Sequence, residues 1–135
     1  MSRKVFVNLP VKNLDKSMEF FTKLGYEFNR QFTDETAACM VVSEYIFVML
    51  LTEAKFKMFV PGEISDARKS TEVLVCLSSD DRQSVDDVIA KALAAGGTTF
   101  NAPIDYGFMY GHSFQDLDGH TWEYIYMDPS AVNKT

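Results

Sequence analysis

The same order of sequence patterns occurs twice along this chain of 135 residues. In each half, apolar residues alternate as in a strand, recur at helical spacing, and are followed by three further strand-like runs. The predicted strands are 5–11, 26–32, 36–43 and 45–51 in the first half, and 71–78, 98–104, 109–115 and 121–127 in the second. The helical stripes are Leu14, Met18, Phe21 and Leu24 in the first half, and Val85, Val88, Ile89, Ala92 and Leu93 in the second. Glycines at 25 and at 96–97 close them. Each half therefore predicts a βαβββ module, and the repetition favours an internal duplication.

This pattern predicts an α+β fold in which residues 1–135 form one domain. Module one is expected at about 3–52, a connector at about 53–70 and module two at about 71–128. The connector is long for a compact domain, so we expect it to cover a cleft or to reach a partner subunit. Because the helices of a module can cover only one sheet face, the opposite faces must meet each other, a ligand or a second subunit.

One carboxylate stands inside the last predicted hairpin, at residues 114–124. An Asp-Gly pair between alternating aromatic residues indicates a tight turn, because glycine accepts the positive φ that such a turn needs. With the turn centred on Asp118-Gly119, Phe114 lies opposite Glu123 and His112 shares their face. A glutamate between two aromatic residues must be solvated, paired or placed in a cleft.

The net charge and the cysteines limit which partners and which cellular compartment we expect. A formal net charge of −6 without a basic stripe argues against nucleic acid. No apolar window has the length of a membrane span, and Met1 leads into a strand rather than a secretory signal. Cys39 and Cys76 lie in apolar strand-like runs, where we expect buried free thiols. We therefore expect a cytoplasmic protein with no nucleic-acid and no membrane partner.

The chain resembles the vicinal-oxygen-chelate superfamily, which includes glyoxalase I, extradiol dioxygenases and bleomycin-resistance proteins. The resemblance spans nearly the whole chain and is carried by residues 9–17, 20–25 and 114–124. It is closest to the subgroup of predicted lactoylglutathione lyases. It implies a glyoxalase/bleomycin-resistance-like fold, in which two βαβββ modules form a cupped mixed sheet, and it implies a homodimer.

The resemblance also implies four metal-ligand positions, on the first and last strand of each module. They fall on Phe6, Met49, Glu72 (or, with a shift of one residue, Thr71) and Glu123, and only the two glutamates are suitable ligands. We therefore expect neither the family's metal nor another cofactor. The alternative is a divalent metal in a rearranged site of Glu72, His112 and Glu123, which requires His112 to face the cleft.

Strand parity predicts an aromatic wall inside the cup, with a few polar side chains. Its predicted members are Phe6, Asn8, Tyr45, Phe47, Met49, Leu74, Cys76, Tyr110, His112 and Phe114, of which Phe6, Asn8, Phe47, Met49, Tyr110, His112 and Phe114 are the candidate ligand-binding residues. Such a pocket suits a small aromatic or cationic molecule. The alternative is that these aromatic residues pack against each other or against a second subunit.

Two functions follow from these residues and from the resemblance. The first is a protein that binds a small aromatic or cationic molecule in a cleft without the family's metal, as bleomycin-resistance proteins do. The second is a lyase or isomerase of the lactoylglutathione-lyase type, in which Glu123 or Glu72 is the catalytic base. A ring-cleaving dioxygenase is not expected, because it needs two inward histidines and the chain has only two, beside one turn.

Overall fold

The computed structural model describes residues 2–132, which divide after Asp66 into two compact units. Unit 1 comprises β1 (Val5–Val11), α1 (Leu14–Lys23), β2 (Glu27–Asn29), a 3₁₀ turn (Arg30–Phe32), β3 (Ala37–Val41), β4 (Ile46–Thr52) and α2 (Glu53–Lys57). Unit 2 comprises β5 (Leu74–Ser78), α3 (Arg82–Ala94), β6 (Ile104–Asp105), β7 (Met109–Gln115), β8 (Thr121–Met127) and α4 (Pro129–Val132). Among the described residues, no helix is both long and apolar enough to span a membrane.

The two units have the same sheet topology. The strand order is β1-β4-β3-β2 in unit 1 and β5-β8-β7-β6 in unit 2. In each sheet the strand that comes first in the chain pairs in parallel with the strand that comes last, as β1 with β4 and β5 with β8. The other neighbouring strands are antiparallel. The predicted α+β fold of two βαβββ modules, each with a four-stranded mixed sheet, is confirmed.

In unit 1, the core lies between α1 and one face of the sheet. The helix begins where the side chain of Asn13 accepts a hydrogen bond from the N–H of Lys16, at 3.0 Å. It ends before Gly25, whose φ of 105° is in the left-handed region that favours glycine. The fully buried side chains on the two sides of this interface are Val11, Phe20, Phe21, Ala38, Met40, Val48 and Leu50.

In unit 2, α3 covers one face of the second sheet. Asp81 caps this helix by accepting a hydrogen bond from the N–H of Ser84, at 2.7 Å. The helix packs on β7 and β8, and its buried residues include Val85, Ile89 and Ala92. They meet a row of stacked rings on the sheet, which are Phe114, Trp122 and Tyr124.

Two predicted strands of unit 2 are shorter in the structure. The strand expected at 71–78 begins at Leu74, so Glu72 lies before it in an exposed segment. The strand expected at 98–104 is reduced to β6 and to one bridge between Thr98 and Gln115. Pro103 has no N–H to donate to a strand ladder, which accounts for the interruption between the bridge and β6.

The register of the β7–β8 hairpin differs from the prediction by one residue. Ser113 lies opposite Glu123, whereas Phe114 lies opposite Trp122. The connection is a loop of residues 116–120 rather than a two-residue turn. Because the side-chain period of a strand is two residues, a slip of one moves the predicted neighbours of Glu123 to the other face.

The side chain of Asp116 determines the shape of this loop. Its buried carboxylate accepts hydrogen bonds from the N–H groups of Asp118 (2.9 Å) and His120 (3.0 Å) and from the indole N–H of Trp122 (3.0 Å). Burial raises the pKa of Asp116, while the charge of His120 and these donors oppose the increase. Gly119 has a φ of 88°, as the Asp-Gly signal predicts. The sequence signal therefore identified the turn but not its length.

Candidate functional site

The face of the unit 1 sheet that is turned away from α1 carries no long helix. In β1, Phe6 lies beside Phe47 and Asn8 beside Met49, and Met49 in turn lies beside Cys39 of β3. Neighbours at one register position share a face, so these side chains all lie on the same side of the sheet. We call this surface the unit 1 open face, defined by Phe6, Asn8, Cys39, Phe47, Met49 and Leu51.

A pocket of about 380 Å³ lies on the unit 1 open face. It is lined by Phe6, Asn8, Phe32, Cys39 and Met49. The ring of Phe6 stacks on that of Phe47, outside this lining, with 4.9 Å between centroids. We call this cavity the sheet pocket. Phe6, Asn8 and Met49, three of the four candidate ligand-binding residues of unit 1, therefore line one cavity.

Two residues of the sheet pocket were missed by the sequence analysis. Phe32 reaches it from the 3₁₀ turn at Arg30–Phe32, where the sequence indicated the end of a strand. Cys39 is a buried free thiol, as expected, and its strand position beside Met49 also places it in the lining. Strand parity could have identified Cys39, whereas nothing in the pattern distinguished a 3₁₀ turn from a strand at Phe32.

The lining of the sheet pocket contains no charged side chain. Burial raises the pKa of the Cys39 thiol, so it is protonated at neutral pH. The side-chain amide of Asn8 donates a hydrogen bond to the carbonyl oxygen of Phe6, at 3.1 Å. Within residues 2–132 this is the only hydrogen bond of that side chain, so its oxygen can accept one from a ligand.

The connector forms a second pocket on the same face. Helix α2 lies against β1 and β4. Together with the residues that follow it, it encloses about 440 Å³. The lining residues of this cavity, which we call the connector pocket, are Asn8, Leu51, Phe56, Phe59 and Val60. The connector therefore covers part of the unit 1 open face.

In unit 2, the sheet face that is turned away from α3 has a different chemistry. Glu123 lies between Cys76 of β5 and Ser113 of β7, and we call the surface defined by these three residues the unit 2 open face. Cys76 is exposed, so the expectation of two buried thiols is wrong for this residue, which lies on an edge strand. Although the residue as a whole is exposed, partial burial of its sulfur and the hydrogen bond to Glu123 raise the pKa of Cys76 to about 11.

The prediction that Tyr110, His112 and Phe114 share the face of Glu123 is wrong, because of the one-residue shift in register. Phe114 is fully buried on the α3 side. On the same side, the ring nitrogen Nε2 of His112 lies 2.8 Å from the carbonyl oxygen of Asn101. His112 is therefore held by the loop before β6 rather than directed toward Glu123.

Tyr110 belongs to a polar cluster at the beginning of α3. Its hydroxyl donates to the carboxylate of Asp86 at 2.6 Å, and the guanidinium of Arg82 lies 4.9 Å from its ring centroid. Arg82 also forms a two-point ion pair with Asp105 and donates to the carbonyl oxygen of Gly107. These contacts connect α3 with β6 and β7. Tyr110 therefore stabilises the packing of this helix rather than lining a pocket with Glu123.

The residues present do not fit the metal that the resemblance implies. Phe6 and Met49 offer neither an imidazole nor a carboxylate. In the alternative set, Glu72 lies outside β5 and His112 lies on the face opposite to Glu123. In the part of the chain that the structure describes, no group of three or more His, Cys, Asp or Glu residues could hold a metal ion.

Comparisons with known proteins place this geometry in a fold family. The family model described as bleomycin resistance protein-like N-terminal matches residues 3–43. A solved structure of a hypothetical protein from S. aureus is 26% identical to this chain, with a TM-score of 0.79. The match covers 93% of this chain and 94% of that protein's chain. A search of curated proteins finds no match.

Two further solved structures carry functional descriptions. A glyoxalase/bleomycin resistance protein/dioxygenase family enzyme from Burkholderia phytofirmans PsJN is 14% identical, with 93% of this chain and 99% of that chain covered and a TM-score of 0.77. A lactoylglutathione lyase from Agrobacterium tumefaciens is also 14% identical, with coverages of 93% and 94% and a TM-score of 0.68. These structures show the fold, which is that of glyoxalase/bleomycin resistance proteins, as the sequence resemblance implied.

Proposed function

We propose that this protein binds a small aromatic molecule in the sheet pocket, without the metal of the related enzymes. The observation that carries the proposal is the pocket itself, which is apolar except for Asn8 and has a volume of about 380 Å³. Small-molecule sites typically have volumes of about 300–1,000 Å³ and few polar groups in a largely apolar lining. The match to a bleomycin resistance protein-like model over residues 3–43 supports a binding role for unit 1.

The lining favours an aromatic ligand over a cationic one. No carboxylate lines the sheet pocket. The ammonium of Lys4 lies 5.7 Å from the centroid of the Phe47 ring, beside Phe6, and repels a second cation from this aromatic pair. A flat, neutral molecule can instead contact Phe6, Phe32 and the Met49 thioether, all of which favour aromatic neighbours.

The alternative function, a lyase with Glu123 or Glu72 as base, has less support. Glu123 lies on the unit 2 open face in contact with Cys76, whose pKa of about 11 makes it a poor proton donor at neutral pH. Glu72 lies in an exposed segment before β5. Proton abstraction next to a carbonyl also needs a group that stabilises the oxyanion, and the described residues offer no metal-binding cluster for it. A homodimer and a cytoplasmic location stay predictions.

The proposal is tested with 1-naphthylamine, a fluorescent aromatic amine small enough for one pocket. We expect saturable binding with one site per chain. Phe32→Ala should weaken it about tenfold, because about 50 Å² of apolar contact is lost. Phe32 is 59% exposed, so this change leaves the core intact. Phe100→Ala is the matched control, because Phe100 is 58% exposed and lines neither pocket.

Two results would contradict the proposed function. One is the absence of saturable binding up to millimolar concentrations. The other is an equal affinity of the Phe32→Ala and Phe100→Ala variants, which would show that the probe binds elsewhere.

A further inference from the structure

We infer that the unit 1 open face takes one elongated ligand, with an apolar group in each of its two pockets and a hydrogen-bond donor between them that Asn8 accepts. The inference rests on the proposed function and adds the chemical class of the ligand. It concerns the connector pocket as much as the sheet pocket, and it assigns Asn8 as the residue that selects the ligand's central group.

The first support is the position of Asn8. It lines the sheet pocket of about 380 Å³ and also the connector pocket of about 440 Å³, and among residues 2–132 no other residue lines both. Because Asn8 belongs to the wall of both cavities, a molecule that fills both lies against this residue. The two pockets are therefore two compartments of one site.

The second support is the hydrogen-bonding state of Asn8. Its NH₂ group donates to the carbonyl oxygen of Phe6, which fixes the orientation of the amide. The amide oxygen then remains as an acceptor on a residue that lines both cavities. An N–H or O–H group at the centre of the ligand satisfies this oxygen, whereas an apolar centre would desolvate it without compensation.

The third support is the composition of the connector pocket. Apart from Asn8, its lining consists of Leu51, Phe56, Phe59 and Val60. Phe59 is 66% exposed although it belongs to an apolar wall, so its ring offers area that a ligand group can cover. Lys55 has its ammonium 5.7 Å from the Phe59 ring, so a neutral group suits this compartment better than a cation.

The helix that carries this wall is anchored to the sheet. The hydroxyl oxygen of Thr52, the last residue of β4, accepts a hydrogen bond from the N–H of Lys55, at 3.3 Å. Phe56 therefore lies in a capped helix that begins where β4 ends, and Phe59 follows shortly after that helix. A substitution at Phe59 changes the pocket without changing this cap.

The test uses N-phenyl-1-naphthylamine, in which an N–H group joins two aromatic groups. We expect it to bind at least about tenfold more tightly than 1-naphthylamine, because the added phenyl group is buried in the connector pocket. Phe59→Ala should remove most of this gain and leave the affinity for 1-naphthylamine unchanged. Met58→Ala is the matched control, because Met58 is 73% exposed, adjacent in sequence and absent from both linings.

The role of Asn8 is tested with the N-methyl derivative of the same probe, which has no N–H. We expect it to bind about fivefold more weakly than the parent molecule. In the Asn8→Leu variant, which keeps the size of the side chain but removes the acceptor, the two molecules should bind equally. Unchanged circular dichroism confirms that the variant is folded.

The outcomes separate this inference from the proposed function. If 1-naphthylamine does not bind, the proposed function fails. A second outcome is that 1-naphthylamine binds at Phe32, but N-phenyl-1-naphthylamine has no higher affinity, or its affinity does not fall with Phe59→Ala. The two-compartment site would then be wrong, while the proposed function would stand. An equal loss for both probes with Phe59→Ala would also overturn it, because both would then occupy the same pocket.

Discussion

The two units share a strand order, a parallel pair of first and last strands and a helix over one face, yet their open faces differ. The unit 1 open face is apolar around Asn8 and carries two pockets. The unit 2 open face places Glu123 between Cys76 and Ser113. The topology determines which sequence positions become neighbours on a face. The side chains at those positions then determine the chemistry separately in each unit.

The hairpins that end the two sheets are also closed by different means. In unit 1, the turn between β3 and β4 is closed by backbone bonds, in which Ser43 and Ile46 each donate to the carbonyl oxygen of the other. In unit 2, the equivalent loop is held by the buried carboxylate of Asp116. The unit 2 loop therefore has a buried side-chain acceptor in addition to its own backbone bonds, whereas no side chain has this role among the described residues of the unit 1 turn.

The largest expected effect is the gain of a metal site on the unit 1 open face. In the double variant Phe6→His with Met49→Glu, an imidazole and a carboxylate line the same pocket as the Cys39 thiol. We expect micromolar binding of Co²⁺ with visible cobalt–thiolate absorption, and we expect no such absorption from the natural chain. Because burial raises the pKa of Cys39, and metal binding must displace its proton, the affinity should increase with pH.

The single variant Phe6→His is the control for this gain. It supplies one new ligand, and we expect it to bind Co²⁺ much more weakly than the double variant. Equal affinity of the single and double variants for Co²⁺ would show that Met49 does not share the pocket with Phe6. The described difference between the two open faces would then be wrong.

The next largest effect concerns the hairpin of unit 2. Asp116→Ala leaves the N–H groups of Asp118, His120 and Trp122 without their acceptor. We expect the free energy of unfolding to fall by about 3 kcal/mol, because buried donors then lack a partner. Urea denaturation followed by circular dichroism measures this loss.

The turn of unit 1 supplies the matched substitution. Glu44 is exposed there. Glu44→Ala should therefore change the free energy of unfolding by less than about 0.5 kcal/mol. Similar losses for Asp116→Ala and Glu44→Ala would mean that the side chain of Asp116 is not what closes the unit 2 hairpin.

This hairpin also shows why the sequence predicted the fold better than the site. Apolar periodicity located β7 and β8 with the bounds that the structure has, because the rings of Phe114 and Trp122 alternate with other residues on both strands. The register depended instead on one carboxylate, that of Asp116, which organises a loop longer than an Asp-Gly turn. Periodicity contains no information about such a hydrogen bond, and a shift of one residue placed His112 on the wrong face.

The pockets of unit 1 were only partly predictable for a related reason. Strand parity placed Phe6, Asn8 and Met49 on one face, and the structure has them there. Phe32 belongs to a 3₁₀ turn and Phe59 to the part of the connector just after α2, and neither segment has a two-residue period. The positions of side chains in irregular segments depend on local hydrogen bonds. The pattern of apolar residues therefore does not show which of them line a pocket.

The smallest expected effect is kinetic and concerns Cys76 on the unit 2 open face. With its pKa raised from 9.0 to about 11, the thiolate fraction of Cys76 at pH 8 is about a hundredfold below that of an ordinary thiol. A more basic thiolate is also more nucleophilic, which offsets part of this loss. We therefore expect iodoacetamide to alkylate Cys76 about tenfold more slowly than glutathione, with a rate that continues to rise up to about pH 11. Peptide mass spectrometry separates its signal from that of Cys39.

Replacing the neighbouring carboxylate tests the cause of this slow reaction. Glu123→Gln removes the charge that opposes the thiolate, so alkylation of Cys76 should accelerate about twofold to threefold. The gain is limited because burial is the larger cause of the raised pKa. Glu72→Gln removes an exposed carboxylate outside β5 and should leave the rate unchanged. Equal rates in both variants would show that Glu123 does not contact Cys76, and the unit 2 open face would then lose the polar pair that distinguishes it from unit 1.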